Sequence, residues 1–357
     1  MAVKERNSIV KKNWQILPQI DDELIEKYPG LSRVVLQLLF NRGITGKDEM
    51  EEFLNPFNPS TSKSPRPSFT KGGSNDYDPF LFKDMERAVD LIIGHIKKQN
   101  KIVIYGDYDA DGVTATAVLL DTLGTLKAKV EPYIPDRVSE GYGLNRDAVK
   151  KLSETGVNLI ITVDGGIRSK DDVEYAKGLG LDVVVTDHHV PPSGRDAIPP
   201  KREAVRARSD ASAIPDCLVI NPLVEGENYP FKYLAGVGVA FKLAKAIISK
   251  SKLSDEDKKK LEERILDLAA IGTVADCVTL LGENRILVKR GLEILNNTKR
   301  IGLQELVKVA QINPVKGRLN GASGNKKLDS WNIGFQIAPR INAAGRMDHA
   351  NTALELL

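Results

Sequence analysis

The sequence predicts an α/β protein: a doubly wound, mainly parallel sheet with a helical N-terminal extension and a helical C-terminal segment. Three observations carry that expectation. Short apolar, largely β-branched runs at 102–104, 158–163, 181–186 and 218–220 read as buried strands. Helical patterns separate them, and strands alternating with helices argue parallel pairing through crossovers. Several of these strands stop at acids or histidines, as expected where a parallel sheet gathers its polar residues on its carboxyl edge.

Whole-chain features set the bounds. The chain has 357 residues, enough for two domains or for one large domain with an appended segment. Hydrophobic content of 41% and charged content of 28% are those of an ordinary soluble globular protein. A net charge of +3 tolerates a polyanionic partner without demanding one. The two cysteines, Cys217 and Cys277, lack CxxC neighbours, which argues against a disulfide framework or a thiolate zinc site and suits a reducing cytoplasm. The first residues hold no apolar signal core, and no stretch is long enough to span a bilayer, so neither secretion nor a membrane partner is expected.

In chain order, residues 1–78 read as an extension and linker. Helical patterns at 31–40 and 47–54 are closed by Pro56 and Pro59, and the Ser-, Pro- and Gly-rich stretch 60–78 reads as a solvated linker. Residues 79–250 form the α/β domain. It opens with a helix at 80–98 whose stripe is Met85, Ala88, Val89, Ile92 and Ile96, with His95 at its surface or boundary. After the first strand and its helix come a strand at 129–134, a helix at 147–154, the strand 158–163 and a helix at 171–178. The loop 191–215 carries Arg195, Lys201, Arg202, Arg206 and Arg208, diluted by Asp196, Glu203 and Asp210; a solvated insertion and a nucleic-acid arm both fit it. Glycines precede a helix in 234–248 without phosphate-loop spacing, so they are expected to permit close packing. Residues 251–357 form the helical segment that completes the domain. Ser254 caps a charged helix from Asp255, with Asp257 at the capping-box position, and helical patterns follow at 268–280, 284–295 and 303–310.

The chemistry concentrates after the first strand. Asp107, Asp109 and Asp111 alternate behind Gly106, and carboxylates so close repel one another unless a cation lies among them. Hard divalent metal and phosphate chemistry follow from that, with a solvated acidic loop as the plain alternative. An EF-hand is excluded, because its twelfth position is Val118 and a strand precedes it. A haloacid-dehalogenase phosphatase would use Asp109 as a covalent nucleophile. The strand ends at Asp164 and at Asp187-His188-His189 add carboxylates and imidazoles on the same edge, a donor set for Mn²⁺ or Mg²⁺ in which the nitrogen tilts toward manganese. Two of the four histidines sit there side by side, which favours His188 as a ligand. Asp276 is the single acid in the apolar run 268–280 and needs a partner, either a metal or a helix-packing hydrogen bond. Near the end, Arg340, Asn342 and Arg346 stand among small residues that let a phosphate approach, although Asn342 suits a packing role equally.

Taken together, GDYDADG (106–112), Asp164-Gly165-Gly166, Asp187-His188-His189, GTVAD (272–276) and APRINAAGRM (338–347) resemble the DHH phosphoesterase superfamily. Within it they resemble the single-strand-specific 5′→3′ DNA exonucleases of recombination and repair. The resemblance runs from about residue 80 to the end and displaces the dehalogenase reading, which leaves Asp164, the histidine pair and Asp276 unexplained. It implies a metal-dependent phosphodiesterase with two Mn²⁺ or Mg²⁺ ions, Asp164 bridging them. Asp109 and Asp164, helped by Asp107, would hold one ion; Asp111, Asp164, His188 and Asp276 would hold the other. His189 would face the scissile phosphate, with Arg340, Asn342 and Arg346 on substrate phosphates. Some relatives carry His where Tyr105 stands, which implies a weaker first ion here. Implied partners are single-stranded DNA, a single-strand-binding protein and a helicase. Members of this branch continue into a second catalytic lobe (DHHA1) and usually an OB-type domain. This sequence stops at Leu357 within an apparent helix, so a truncated catalytic core is expected. A DHH-type oligoribonuclease or nucleotide phosphatase is the alternative enzyme. A non-catalytic replication scaffold ranks last, because such relatives lose ligands that are present here.

Overall fold

The computed structural model describes residues 16–54, 77–192, 214–312 and 327–357. The chain divides into two compact units, Met1–Ser74 and Asn75–Leu357. The smaller contains helices Asp22–Lys27, Arg33–Phe40 and Lys47–Leu54 around Ile20, Leu36, Leu39 and Met50. Ser32 starts the second by accepting from Val35 N. The helix Asp22–Lys27 has only six residues, too few for its periodicity to stand out from sequence. Nearly all of the Ser/Pro/Gly stretch 60–78 and the basic residues 195–208 lie outside the described residues.

The larger unit is built on five parallel strands: β1 (Lys101–Tyr105), β2 (Lys129–Tyr133), β3 (Val157–Val163), β4 (Asp182–Thr186) and β5 (Leu218–Ile220). Their order is β2-β1-β3-β4-β5. Alternate residues of β3 serve opposite faces, as the period of two requires. Leu159, Ile161 and Val163 join a core with helices Met85–Lys98, Ala110–Thr125, Gly236–Lys250, Leu266–Ala275 and Gly282–Leu295. Ile160 joins the opposite core with helices Arg146–Glu154 and Lys170–Gly178, as does Val157, put out of step by a register shift at the start of the pairing with β1. Both faces are therefore covered, which is why these strands read as continuous apolar runs. Pro132 is tolerated because β2 is an edge strand. The strand order makes the chain cross from one side of β1 to the other, so the crevice lies at the carboxyl ends of β1 and β3.

Three local expectations are refined. His95 is not at the helix surface: it is buried, with Nε2 3.0 Å from Asp182 Oδ2 and Nδ1 3.0 Å from the Asn100 amide. The start of β4 packs against that helix end, which the helix's own periodicity cannot reveal. Asp276 does not lie inside a helix; the helix ends at Ala275, Asp276 is its C-cap, and its side chain is 26% exposed. The C-terminal helical run begins at Ser330 and continues to Met347 through a π turn at Ile333–Ile337. Pro339 cannot donate to the preceding turn, and the wider turn relieves the clash of its ring there. The Arg340 guanidinium donates to the Gln336 carbonyl at 2.7 Å. Among the described residues no helix is long and apolar enough to cross a membrane.

Candidate metal centre

Most of the acidic side chains follow strand ends, and backbone donors secure Asp107, Asp109, Asp111 and Asp187. Asp109 is the N-cap of helix Ala110–Thr125, its Oδ1 accepting from Asp111 N at 2.9 Å and Gly112 N at 3.0 Å. Gly112 must be glycine, because a Cβ there would fall 2.6 Å from Asp107 Cβ. Asp111 is buried in the first turn of that helix. Its two oxygens accept from Gly236 N at 2.7 Å and Val237 N at 2.9 Å, the free amides that open the fifteen-residue helix Gly236–Lys250. The glycines expected to permit close packing do so here: a Cβ on Gly236 would fall 2.5 Å from Asp164 Oδ1.

Asp164 leaves β3 with φ at +57°, a conformation that costs an L-residue about 1–2 kcal/mol and that Asp tolerates better than most. The Tyr142 hydroxyl donates to its carbonyl at 3.2 Å. At the end of β4, Asp187 is fully enclosed. Its Oδ2 accepts from Ile167 N, and its Oδ1 accepts from His188 N, His189 N and, at 2.8 Å, His189 Nδ1. Asn221, just past β5, donates to the His189 carbonyl. The turns after β3, β4 and β5 are thus tied to one another.

These turns converge. His188 Nε2 is 3.1 Å from Asp164 Oδ1 and 4.0 Å from Asp111 Oδ2, while Nδ1 is 3.7 Å from Asp276 Oδ2. Three sets have donor atoms close enough to share an ion: Asp107, Asp109 and Asp164; Asp111, His188 and Asp276; and Asp164, His188 and His189. Asp164 belongs to two of them. Its Oδ1 is buried and makes no hydrogen bond. Asp276 sits at the carboxyl end of helix Leu266–Ala275, where the helix dipole disfavours an anion. An orphaned buried carboxylate oxygen among hard oxygen donors and one imidazole fits a divalent cation.

The electrostatics point the same way. Burial, followed by the charge of Asp109, pushes Asp107 up to about 7, and the same two causes raise Asp276 to about 6. Burial and then the neighbouring carboxylates hold Asp111 and Asp164 well above the usual range. Burial, and next the charge of His189, draws His188 down to about 4, leaving it neutral and able to ligate at neutral pH. His189 is raised, chiefly by its hydrogen bond to Asp187. Burial opposes the charge of Asp187, but the His189 ring and the backbone donors outweigh it and leave that carboxyl low. A divalent cation among these acids would reverse their upward shifts.

The structure therefore gathers Asp107, Asp109, Asp111, Asp164, His188, His189 and Asp276. Asn342 Oδ1 accepts from Ala110 N at 2.7 Å and fastens the acidic loop, which suits its packing role. Arg340 and Arg346 are exposed on the same helix. The Tyr105 hydroxyl donates to the Gly143 carbonyl at 3.0 Å and its ring stacks on Tyr133. Sequence reasoning counted Asp187 among the strand-end acids without naming its hold on the His189 ring, and it missed Arg137, Tyr108 and Tyr142. The Arg137 guanidinium lies 4.8 Å over the Tyr108 ring, and Tyr142 stands edge-on to Tyr108 and to His189. The signal for Tyr142 was its flanking glycines, Gly141 and Gly143, both at positive φ.

Residues 101–273, which hold the parallel sheet and all of this acid and histidine set but Asp276, match the DHH family, N-terminal domain. The chain thus carries a DHH-family domain. It is 41% identical to the single-stranded-DNA-specific exonuclease RecJ of Bacillus subtilis over 97% of this chain and 38% of that protein. With the RecJ of Escherichia coli it shares 36% identity over 76% of this chain and 44% of that one. Among solved structures, it is similar to an exonuclease RecJ bound to manganese, with 33% identity, a TM-score of 0.61 and coverage of 77% of this chain and 61% of that one. It is also similar to RecJ of Thermus thermophilus in complex with Mn²⁺, with 28% identity, a TM-score of 0.65 and coverage of 94% and 40%. The chain spans about two fifths of the length of the curated relatives named here.

Proposed function

We propose that this chain is the metal-binding catalytic core of a single-strand-specific 5′→3′ DNA exonuclease, a hydrolase of phosphodiester bonds in recombination and repair. The observation that carries the reading is Asp164, a buried carboxylate shared by two ligand sets with one oxygen unsatisfied. Asp107, Asp109 and Asp164 would hold one Mn²⁺ or Mg²⁺, and Asp111, Asp164, His188 and Asp276 the other. Such a pair, when bound, neutralises charge on the phosphoryl group and lowers the pKa of water. The chain's own residues supply orientation. Asp187 accepts from Nδ1–H of His189 and favours the protonated ring, whose Nε2–H can then donate to a phosphate oxygen. The guanidinium and aromatic rings of Arg137, Tyr108 and Tyr142 border the centre, groups that suit an unpaired base and its phosphate. Arg340 and Arg346 would contribute positive charge from the helix that Asn342 anchors to the acidic loop.

The helices beyond residue 250 share one apolar core with the sheet, which supports reading them as completing the DHH lobe. A nuclease confined to single strands needs its duplex opened and meets strands coated by protein. A helicase and a single-strand-binding protein are therefore the partners we propose, in the cytoplasm. The test is manganese-dependent digestion of 5′- and 3′-labelled single strands and of the matching duplex. The reading expects nucleotides released from the 5′ end of the single strand alone, and no release without metal. Hydrolysis confined to dinucleotides would instead assign a short-nucleotide phosphatase.

A further inference from the structure

We infer that Trp331, Phe335 and the basic groove beside them form a second binding surface for single-stranded nucleic acid, outside the metal centre. Trp331 and Phe335 are 57% and 68% exposed, yet their rings stack with centroids 5.5 Å apart and planes 30° apart. Their neighbours Ile333 and Ile337 enter the core, so the pair belongs to the outward side of the same helix. Two large rings held nearly parallel in water offer a face on which a base can stack.

Position links this pair to the site. Gly334, between the two rings, abuts Val274: a Cβ there would lie 3.6 Å from Val274 Cγ1. Val274 is two residues before Asp276, so the rings flank the helix end that delivers this proposed ligand. Beginning at Ser330, a groove of about 420 Å³ runs along helix Gly282–Leu295. Its lining includes Arg285, Lys289 and Lys327 over Leu280, Val288 and Leu292, with Glu293 as the one acid. Arg285 and Lys289 are four apart and share a helix face. The lining starts at Leu280, four residues after Asp276, hence within about 14 Å of it along the chain.

Three cations over an apolar floor, ending at stacked rings, match a strand whose phosphates follow the groove while its bases stack. An acidic protein segment would use the cations but has no need of two parallel rings. The inference rests on the proposed nuclease reading only in supposing that the same strand continues to the metal centre.

Fluorescence anisotropy tests it, using the full chain in EDTA so that hydrolysis plays no part. Two labelled oligothymidylates serve as probes, roughly four and roughly fifteen nucleotides long. Trp331→Ala with Phe335→Ala should weaken the longer probe about 10- to 100-fold. Binding of the shorter probe, and its manganese-dependent cleavage measured separately, should not change. Trp331→Tyr with Phe335→Tyr should restore affinity, and Lys327→Glu should flatten the salt dependence by about one unit of slope. Unchanged affinity in an alanine variant with native melting behaviour overturns the inference. So does a wild-type dimer that the alanine variant dissolves, which would assign this face to a second copy. A chain that cleaves nothing but shows the length-dependent loss would sink the nuclease reading and leave this surface standing.

Discussion

His188 Nε2 stands 3.1 Å from Asp164 Oδ1, and that oxygen, buried, accepts no hydrogen bond. A buried carboxylate oxygen left without a donor beside an imidazole nitrogen is unfavourable unless a cation binds it. Asp164→Asn is therefore expected to weaken Mn²⁺ binding about 100-fold or more and to abolish hydrolysis. The metal-free variant should melt no lower than wild type, because burial and the neighbouring carboxylates already disfavour the charged form of Asp164 and the amide is a neutral group of the same shape. Calorimetric titration with Mn²⁺ and metal-free melting curves check both halves, and wild-type Mn²⁺ affinity in the variant would remove Asp164 from the site.

The raised acids set a pH dependence. Asp107 and Asp276, moved from 3.8 to about 7 and about 6, bind more protons in the folded metal-free chain than when unfolded. Their contribution to stability is thus present below about pH 4 and lost as pH rises toward 7. A bound cation must displace those protons, so metal affinity should fall as pH drops through the same window. Saturating Mn²⁺ should therefore raise Tm more at pH 8 than at pH 6. An increment independent of pH would contradict these shifts.

Asp109 combines a proposed ligand with an N-cap, and substitution can separate the two. Asp109→Ala should abolish hydrolysis and also cost about 1 kcal/mol of stability. Asp109→Asn should be equally inactive but keep the cap and melt close to wild type. Activity in either variant would displace Asp109 from the chemistry.

Asp187 is not itself a proposed ligand, but it holds the His189 ring and the His188 backbone N–H. Asp187→Asn should lower kcat with little change in KM, and should shift the limb of the pH–rate profile that reports His189 toward acid. Because Asp187 also ties Ile167 to β4, a parallel melting curve separates lost orientation from lost fold. An unshifted pH profile would leave Asp187 a purely structural role.

Away from the site, Lys242 Nζ lies 2.6 Å from Glu283 Oε1 in the core, and Glu283 also accepts from the Tyr229 hydroxyl and from Tyr77 N. Breaking the pair by Glu283→Ala should destabilise by about 3–5 kcal/mol, and Lys242→Met in addition should recover much of that loss. Denaturant midpoints of the two variants check the order.

Much of this arrangement is legible in the residues. The β3 run reads as a buried strand because both its faces are covered, and its period carries no polar side. The alternate Asp107, Asp109 and Asp111 announce a cation because their mutual repulsion is local and visible in three positions. Helix ends were less legible, as Asp276 shows. Its run stays apolar and helical in pattern past residue 275, and only a turn with Cys277 at positive φ closes the helix there.

By itself, then, the sequence determined the strands, their acidic ends and the kind of ion those ends can hold, since each depends on neighbours a few positions apart. Tertiary structure alone decided which groups meet. The backbone of Gly236 and Val237 grips Asp111 from 125 and 126 residues away. The Asp276 carboxylate reaches His188 across 88 positions, and Asn342 closes over Ala110 from 232 away. Periodicity reports which face of an element is apolar, not which partner covers it; that choice is made by strand order and by the packing of helices on the sheet.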